Sequence, residues 1–407
     1  MARRRKPTFN YNEVDINGYK YLKTYVQDHD GNQTILYGKT IEELIEKVDE
    51  AKARAENNQF IRKSPTVKEY CEKWLLMQSA NVRYTTMVDY TSKVRRHIIK
   101  PLGHLRMAEV TTDDIKMALV PVSEKSASVF KSVNILLKCI FDSAVESRVI
   151  QYNPTKFLSA KGGGVPKREK EALTDEQAQR LIETCRGLPP YVFVMLGLYA
   201  GLRREEILAL KWDCVFLDTE APYLSVRRAW HTENNAPVIL TDLKTKAARR
   251  DIPIPDQLAE CLREAKGNSS SEYVVANRDG GPLTYTQFQR LWQYIRTRTA
   301  EPRIAKKKVG GKYVKYMLYP VLGEKARNNG RVVYSLDFHV TPHLLRHTYI
   351  TNMIYAGVDP KTVQYLAGHE SSKITMDIYA KVKYNRPEEV ADALTEAFAI
   401  WNGSDNE

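Results

Sequence analysis

The chain has 407 residues, of which 62 are Lys or Arg and 49 Asp or Glu, a formal net charge of +13, with 43% hydrophobic and 27% charged residues. Such a composition excludes a disordered chain, and the length predicts two to four domains at roughly 100–200 residues each. The longest apolar run, Tyr191 to Leu202, is too short to cross a bilayer. The basic start lacks the apolar stretch of a signal peptide, and five scattered cysteines without a C-x-x-C pair oppose a disulfide framework or structural zinc. The expectation is a soluble, reduced, intracellular protein whose positive surplus meets a polyanion, most simply nucleic acid.

In chain order, the opening carries Arg3, Arg4, Arg5 and Lys6, and Tyr19 to Val26 alternates as a half-buried strand. Asp30-Gly31 is a turn signal, and Gln33 to Tyr37 supplies a returning strand. Thr40-x-x-Glu43 opens a helix with Ile41, Leu44, Ile45 and Val48 on one face. Residues 1–58 therefore read as a small β-sheet plus helix, too short to be stable alone and suited to an appended recognition module.

A helical region follows over 62–160. Thr66-x-x-Glu69 is a capping box, and Val67, Tyr70, Cys71, Trp74 and Leu75 keep helical spacing. Segments 84–99, 112–119, 126–146 and 147–158 also read as helices. Tyr84, Tyr90, Lys93, Arg95, Arg96 and Lys100 make the first of these aromatic and basic; a solvated helical face would look the same. Residues 161–170 form a linker, in which Gly162-Gly163-Gly164 and Pro166 break any element. Lys161, Lys167 and Arg168 suit an extended strap along phosphates.

From 171 to 400 the pattern is a larger mixed α+β domain. Thr174-x-x-Gln177 caps its first helix, Pro222 to Ile254 holds short strands, Thr284-x-x-Gln287 caps a helix, and Thr341-Pro342 starts another. Residues 301–337 read as a basic, hairpin-like excursion with Gly310-Gly311 and Asn328-Asn329-Gly330 as turns. The last segment, Pro387 to Trp401, has apolar residues at helical spacing and could pack in cis or dock on a neighbouring protomer.

Four stretches of this domain carry groups able to do chemistry. Gly201-Leu202-Arg203-Arg204-Glu205-Glu206 sets Arg203 and Glu206 three apart on one helix face, which by itself is a surface ion pair. Leu243 to Ile254 reads as two strands joined by a cationic turn containing Lys244, Lys246 and Arg249. Thr341 and Pro342 put His343 in a helix's first turn, where the dipole disfavours imidazolium, and Arg346 lies three residues on. Gly368-His369 precedes Tyr379, one tyrosine among 24.

Taken together, Gly201-Leu202-Arg203-x-x-Glu206, Lys244-Thr245, His343-Leu344-Leu345-Arg346-His347-Thr348, Leu366-Ala367-Gly368-His369 and Tyr379 resemble the tyrosine recombinase (phage integrase) family over about residues 62–400. The N-terminal sheet and helix are similar to the arm-binding domains of integrases from conjugative transposons. Ala248, where a small hydroxyl residue is frequent, and the 301–337 insertion depart from the pattern without removing a reactive group. The resemblance implies that Tyr379 attacks DNA to form a 3′-phosphotyrosyl link. Arg203, Arg346 and His369 would hold the phosphate, His343 would accept the tyrosine proton, and Lys244 would protonate the leaving 5′-oxygen, with Lys246 two residues away as its rival. Glu206 would orient the framework.

No cofactor or metal is expected. The glycine run lacks the Gly-Lys-Ser/Thr of a phosphate loop, His343 and His347 lack the H-E-x-x-H setting, and a covalent link conserves the phosphodiester energy. The implied partners are double-stranded DNA at core and arm sites, three further copies in a homotetramer, an excisionase and a DNA-bending protein, with no membrane. The implied setting is the bacterial cytoplasm, on the nucleoid when bound. A chromosome-dimer resolvase, a type IB topoisomerase-like enzyme and a non-catalytic DNA-binding regulator are the competing readings. The arm-type module argues against the first two, and the full reactive set argues against the third. Residues 1–10 and 301–331 together carry +11 of the net charge, the part suited to gripping phosphates.

Overall fold

The computed structural model describes residues 6–28, 31–156, 158, 163–166, 171–243, 246–326 and 329–384, and the chain divides into two compact units after residue 169. Arg3, Arg4, Arg5, Lys161, Lys167, Arg168, Lys244 and the expected helix at 387–401 lie outside the described residues, as does the side chain of Lys246.

The first unit opens on an antiparallel sheet of β1 (Asn12–Ile16), β2 (Tyr19–Gln27) and β3 (Gln33–Gly38). Strands β2 and β3 fall where the sequence predicts them, whereas β1 is not among the expected strands. Its signal is Asn17-Gly18, a two-residue turn with φ of 59° and 83°, the left-handed pair that matches strand twist. Helix α1 (Ile41–Lys63) runs past the expected end at 58 and closes one sheet face with Leu44 and Val48, both buried. Thr40 caps it, accepting from the Glu43 N–H at 3.2 Å, but the Glu43 carboxylate reaches back to the Lys39 N–H rather than to Thr40.

Helices α2 (Val67–Ser79), α3 (Tyr84–Val94), α4 (Lys100–Leu102), α5 (Thr112–Ser123) and α6 (Ala127–Glu146) bury a second core. A π-helical turn, Arg95–Ile99, joins α3 to α4. All five expected stripe residues of α2, from Val67 to Leu75, are buried in it. Residues 147–156 and 158 are turns, bends and irregular chain, not the expected helix. Arg148 takes φ 55° and ends α6, and Pro154 has no N–H to give a helix. The described part of the expected linker is not free: the Val165 N–H donates to Lys125 O at 2.6 Å and its carbonyl accepts from the Ala127 N–H at 2.9 Å, at the start of α6.

The second unit mixes helices with short antiparallel strands. Helices α7 (Asp175–Cys185), α8 (Tyr191–Tyr199) and α9 (Arg204–Leu208) lead to β4 (Val215–Phe216), β5 (Tyr223–Val226), β6 (Ala229–Glu233), β7 (Ala236–Leu240) and β8 (Arg250–Pro253). Helices α10 (Asp256–Gly267) and α11 (Tyr285–Arg298), strands β9 (Arg303–Val309), β10 (Lys312–Leu318), β11 (Lys325–Ala326) and β12 (Asn329–Val333), then α12 (Pro342–Tyr355), α13 (Pro360–Ala367) and α14 (Ser372–Tyr384) complete it. Apolar α8 is its axis. Phe193, Val194 and Leu196 are fully buried, and a Cβ on Gly197 would come within 2.7 Å of Leu345 Cδ1, so glycine lets α8 and α12 approach.

Leu243 to Ile254 is not a pair of strands about a cationic turn. Strand β7 pairs with β6, β8 pairs with β5, and between them lies a 3-10 turn, Lys246–Ala248. Partners in these sheets are chosen by the buried faces of Leu224 and Ile252, which no local turn reports. The expected hairpin stands: β9 and β10 pair through Gly310 and Gly311, with φ of 55° and 83°. Among the described residues no helix is long and apolar enough to cross a membrane.

Candidate active site

Gly201, at φ 59°, turns the chain out of α8, and Arg203 takes the N-cap position of α9. Glu206 therefore falls at the third helical position, where a carboxylate reaches back to the cap. Its Oε2 accepts from the Arg203 N–H at 2.8 Å and its Oε1 from Arg203 Nη1 at 2.7 Å. The pair is not a surface one, because the Glu206 side chain is 5% exposed. A second guanidinium explains how the carboxylate survives there. Arg250, fully buried in β8, sets Nη1 on Glu206 Oε1 at 3.0 Å and Nη2 on Oε2 at 2.9 Å. Burial alone would raise the Glu206 carboxyl, but the Arg250 charge and hydrogen bonds, then Arg203 and Arg346, bring it down to about 2.

The end of α13 gathers the same arginines. Its last carbonyls lack partners within the helix and form the negative end of its dipole. Leu366 O accepts from Arg250 Nε at 2.7 Å, Ala367 O from Arg346 Nη2, and Gly368 O from Arg203 Nη2 at 2.7 Å. Three consecutive carbonyls thus hold three guanidinium groups brought from α9, β8 and α12. Gly368 ends the helix in the left-handed region, and a Cβ there would meet Arg250 Nη1 at 2.8 Å and Ala247 O at 3.0 Å. Arg346 also donates Nη1 to Gly201 O at 2.7 Å. Its burial, with the charge of Arg203, pulls its guanidinium below the usual range, which Glu206 opposes. Arg203, with 35% of its side chain exposed, is where this cationic cluster opens to solvent.

His369 follows at once and is buried. Gln364 clamps its main chain on both sides: the His369 N–H donates to Gln364 O, and Gln364 Nε2 to His369 O, each at 3.1 Å. The ring's Nδ1 meets Thr375 Oγ1 at 2.9 Å. Burial, then the charges of Arg346, Arg203, Arg250 and His343, lowers the imidazole to about 4, so the ring is neutral near pH 7. Tyr379 lies one turn beyond Thr375 on α14, half-buried against the small cluster that Tyr349, Ile350, Ile354, Val363 and Ala367 form. His343 is exposed in the first turn of α12, behind Pro342 and the Thr341 cap.

The fold thus brings Arg203, Glu206, Arg346 and His369 into one place, with Tyr379 packed on the cluster that holds Ala367. Lys244 lies outside the described residues, but the turn that follows it abuts the site, since Ala248 O accepts from Arg250 Nη1 at 3.0 Å. Arg250 is absent from the sequence-based set. The one signal for it is the strand period, which puts it on the same face as fully buried Ile252. Thr375 has no local signal. Of the residues expected to touch DNA, Lys93 pairs with Asp89 at 2.6 Å, Arg95 and Arg96 are exposed on the π-helical turn, and exposed Arg249 donates to Thr241 O at 3.1 Å.

Two family models match the chain. The phage integrase family covers residues 171–305 and 324–386, and the phage integrase N-terminal SAM-like domain covers 66–119. The gap between the first two stretches falls on the β9–β10 hairpin. Among relatives, the chain is 25% identical over 414 residues to a tyrosine recombinase XerC-like protein of Caldanaerobacter subterraneus subsp. tengcongensis, covering 96% of this chain and 98% of the relative. It is 24% identical over 294 residues to the transposase from transposon Tn916 of Enterococcus faecalis, covering 70% and 66%. Its fold is similar to that of lambda integrase in a tetramer bound to a Holliday junction, with TM-score 0.55, 17% identity, and 92% and 96% covered.

Proposed function

The chain belongs to the tyrosine recombinase (phage integrase) family, which cleaves and rejoins DNA strands, and on that premise we propose that Tyr379 is its nucleophile and that Arg203, Arg346 and His369 form its phosphate pocket. In this reading Tyr379 Oη attacks the scissile phosphorus, the bond to the 5′-oxygen breaks, and a 3′-phosphotyrosyl link forms. His343 takes the tyrosine proton and Lys244 gives one to the departing oxygen. Arg203 and Arg346 offset charge on the non-bridging oxygens, and neutral His369 donates a further hydrogen bond to them. A 5′-hydroxyl from the partner duplex then reverses the steps. Bond energy is kept in the phosphotyrosyl link, so rejoining draws on no nucleotide.

The observation that carries this reading is the triple hold of Arg250, Arg346 and Arg203 on the end of α13, beside the helix that bears Tyr379. Such a cluster is set before substrate arrives, which is what electrostatic stabilisation of a transition state requires. We read residues 1–58 as an arm-type DNA-binding module, 62–160 as a helical core-binding domain, 161–170 as the linker and 171–400 as the catalytic domain. A relative that is the transposase of a transposon, and a structural neighbour that is a tetramer bound to a Holliday junction, support a site-specific integrase that inserts and excises a mobile element as a homotetramer, each copy contributing one Tyr379. An excisionase and a DNA-bending protein complete the reading, acting on direction and on the path of the arms.

A nicked suicide duplex tests the mechanism. The native chain should accumulate a covalent adduct and Tyr379→Phe none. No adduct with the native chain, or an undiminished one with Tyr379→Phe, overturns it.

A further inference from the structure

Two buried polar groups outside the proposed reacting set touch it: Arg250, which is bound to Glu206, and Thr375, which is bound to His369. Thr375 carries the further inference. It is fully buried, near the start of α14, and its hydroxyl meets His369 Nδ1 at 2.9 Å. It makes no hydrogen bond to a carbonyl one turn back among the described hydrogen bonds, although threonine in a helix commonly does.

That environment assigns the proton. A neutral imidazole has one N–H, and the partner of one ring nitrogen fixes the state of the other. Were the proton on Nδ1, it would be donated to Thr375 Oγ1. The threonine hydroxyl hydrogen would then be buried with no acceptor among the described hydrogen bonds, which native interiors avoid. With the hydroxyl donating into Nδ1, the fully buried hydroxyl and Nδ1 are both satisfied and the ring proton is on Nε2, which is not among the fully buried unpartnered atoms. Gln364 holds the His369 backbone from both sides, so the ring's rotation is what Thr375 settles.

Resting on the reading of His369 and Tyr379 given above, we propose that Thr375 is a positioning residue for strand cleavage: its hydroxyl holds His369 as the Nε2–H donor, and its place one turn before Tyr379 makes that donor depend on α14 being seated. The nucleophile and the phosphate pocket are then assembled together. A copy whose tyrosine helix has left its seat also loses the histidine orientation that would stabilise a phosphate, so an idle protomer does not cleave.

The experiment uses the full chain, a nicked suicide duplex and single-turnover adduct formation. Thr375→Val, nearly the same shape without the hydroxyl, is expected to slow adduct formation by about 10–100-fold, the range seen when the outer partner of a working histidine is removed from a metal site. DNA affinity should stay unchanged. Thr375→Ser should restore the rate to within about threefold of native, because the hydroxyl returns. In a His369→Ala background, adding Thr375→Val should cost nothing further. A native rate in Thr375→Val, or an additive double variant, overturns the proposal while leaving the tyrosine mechanism standing. No adduct with the native chain defeats the mechanism itself. Should Thr375→Val not fold, nitrogen-15 histidine spectra of the native chain decide: an unprotonated Nδ1 at His369 is the expected result, and a protonated Nδ1 overturns the proposal.

Discussion

Arg250 and Glu206 meet in a two-pronged ion pair between β8 and α9, both nitrogens on both oxygens at 2.9–3.0 Å, with 0% and 5% of the two side chains exposed. The pair is the hidden support of the site, since the same carboxylate fastens Arg203. Removing one partner of such a pair leaves a buried charge. Arg250→Met should destabilise the chain by about 3–5 kcal/mol. Arg250→Lys keeps the charge but not the fork and should recover only part of this. Urea midpoints at unchanged slope measure both; native-like stability in Arg250→Met would contradict the assignment.

The same carboxylate ties stability to pH. Glu206 is held at about 2 in the folded chain against 4.5 for a free glutamate, so the unfolded chain binds its proton first. Its contribution, about 3 kcal/mol, is complete above pH 4.5 and is lost as pH falls towards 2. Stability measured across that range should fall less steeply in Glu206→Gln than in the native chain. Equal slopes would show that Glu206 is not the group responsible.

Gly201 and Gly357 form a matched pair. Both have positive φ, 59° and 77°, so a side chain at either costs about 1–2 kcal/mol of backbone strain. Only at Gly201 would the new Cβ collide, 2.1 Å from Tyr349 Cδ1, while Gly357 faces open space. Gly201 O is also an anchor of Arg346. Gly201→Ala should therefore lose stability and adduct formation together, whereas Gly357→Ala loses a little stability and keeps cleavage. A suicide-substrate assay alongside thermal melts separates the two.

The β9–β10 hairpin sets Lys306 directly opposite Lys315, a like-charge cross-strand pair, with Lys307, Lys308 and Lys312 exposed nearby. Such pairing is unfavourable in water and is relieved by an anion. If these lysines grip phosphates, changing all five to alanine should lower the slope of log affinity against log salt by up to about 4.5, near 0.9 per lost contact. Fluorescence anisotropy on duplex DNA over a salt series reads the change, and an unchanged slope removes the hairpin from the DNA interface.

Much of the local structure is legible in the chain itself. Thr66, Thr174, Thr284 and Thr341 cap helices as their spacing predicts, and Gly310-Gly311 turns the hairpin. These signals act within four residues, through a side-chain oxygen on a nearby N–H or a permitted positive φ, so they are complete in a short stretch of sequence. Residues 147–158 fail for the same reason in reverse. Most of their composition permits a helix, but Arg148 at φ 55° ends the one before it and Pro154 has no N–H to continue another.

The charge surplus, the arginine, lysine, histidine and tyrosine motifs, and the Arg203–Glu206 spacing were set by sequence alone, and with them the family. What tertiary structure decided is which charges are inside. Glu206 reads locally as half of a surface pair, and it is buried because Arg250, 44 residues on, and the end of α13, beyond residue 360, close over it. Burial of a charge is permitted only by partners that desolvate with it, and those partners are chosen by strand pairing and helix packing across the whole domain. A spacing of three residues can announce an arginine and a glutamate, but only the fold determines that three guanidinium groups share one helix end.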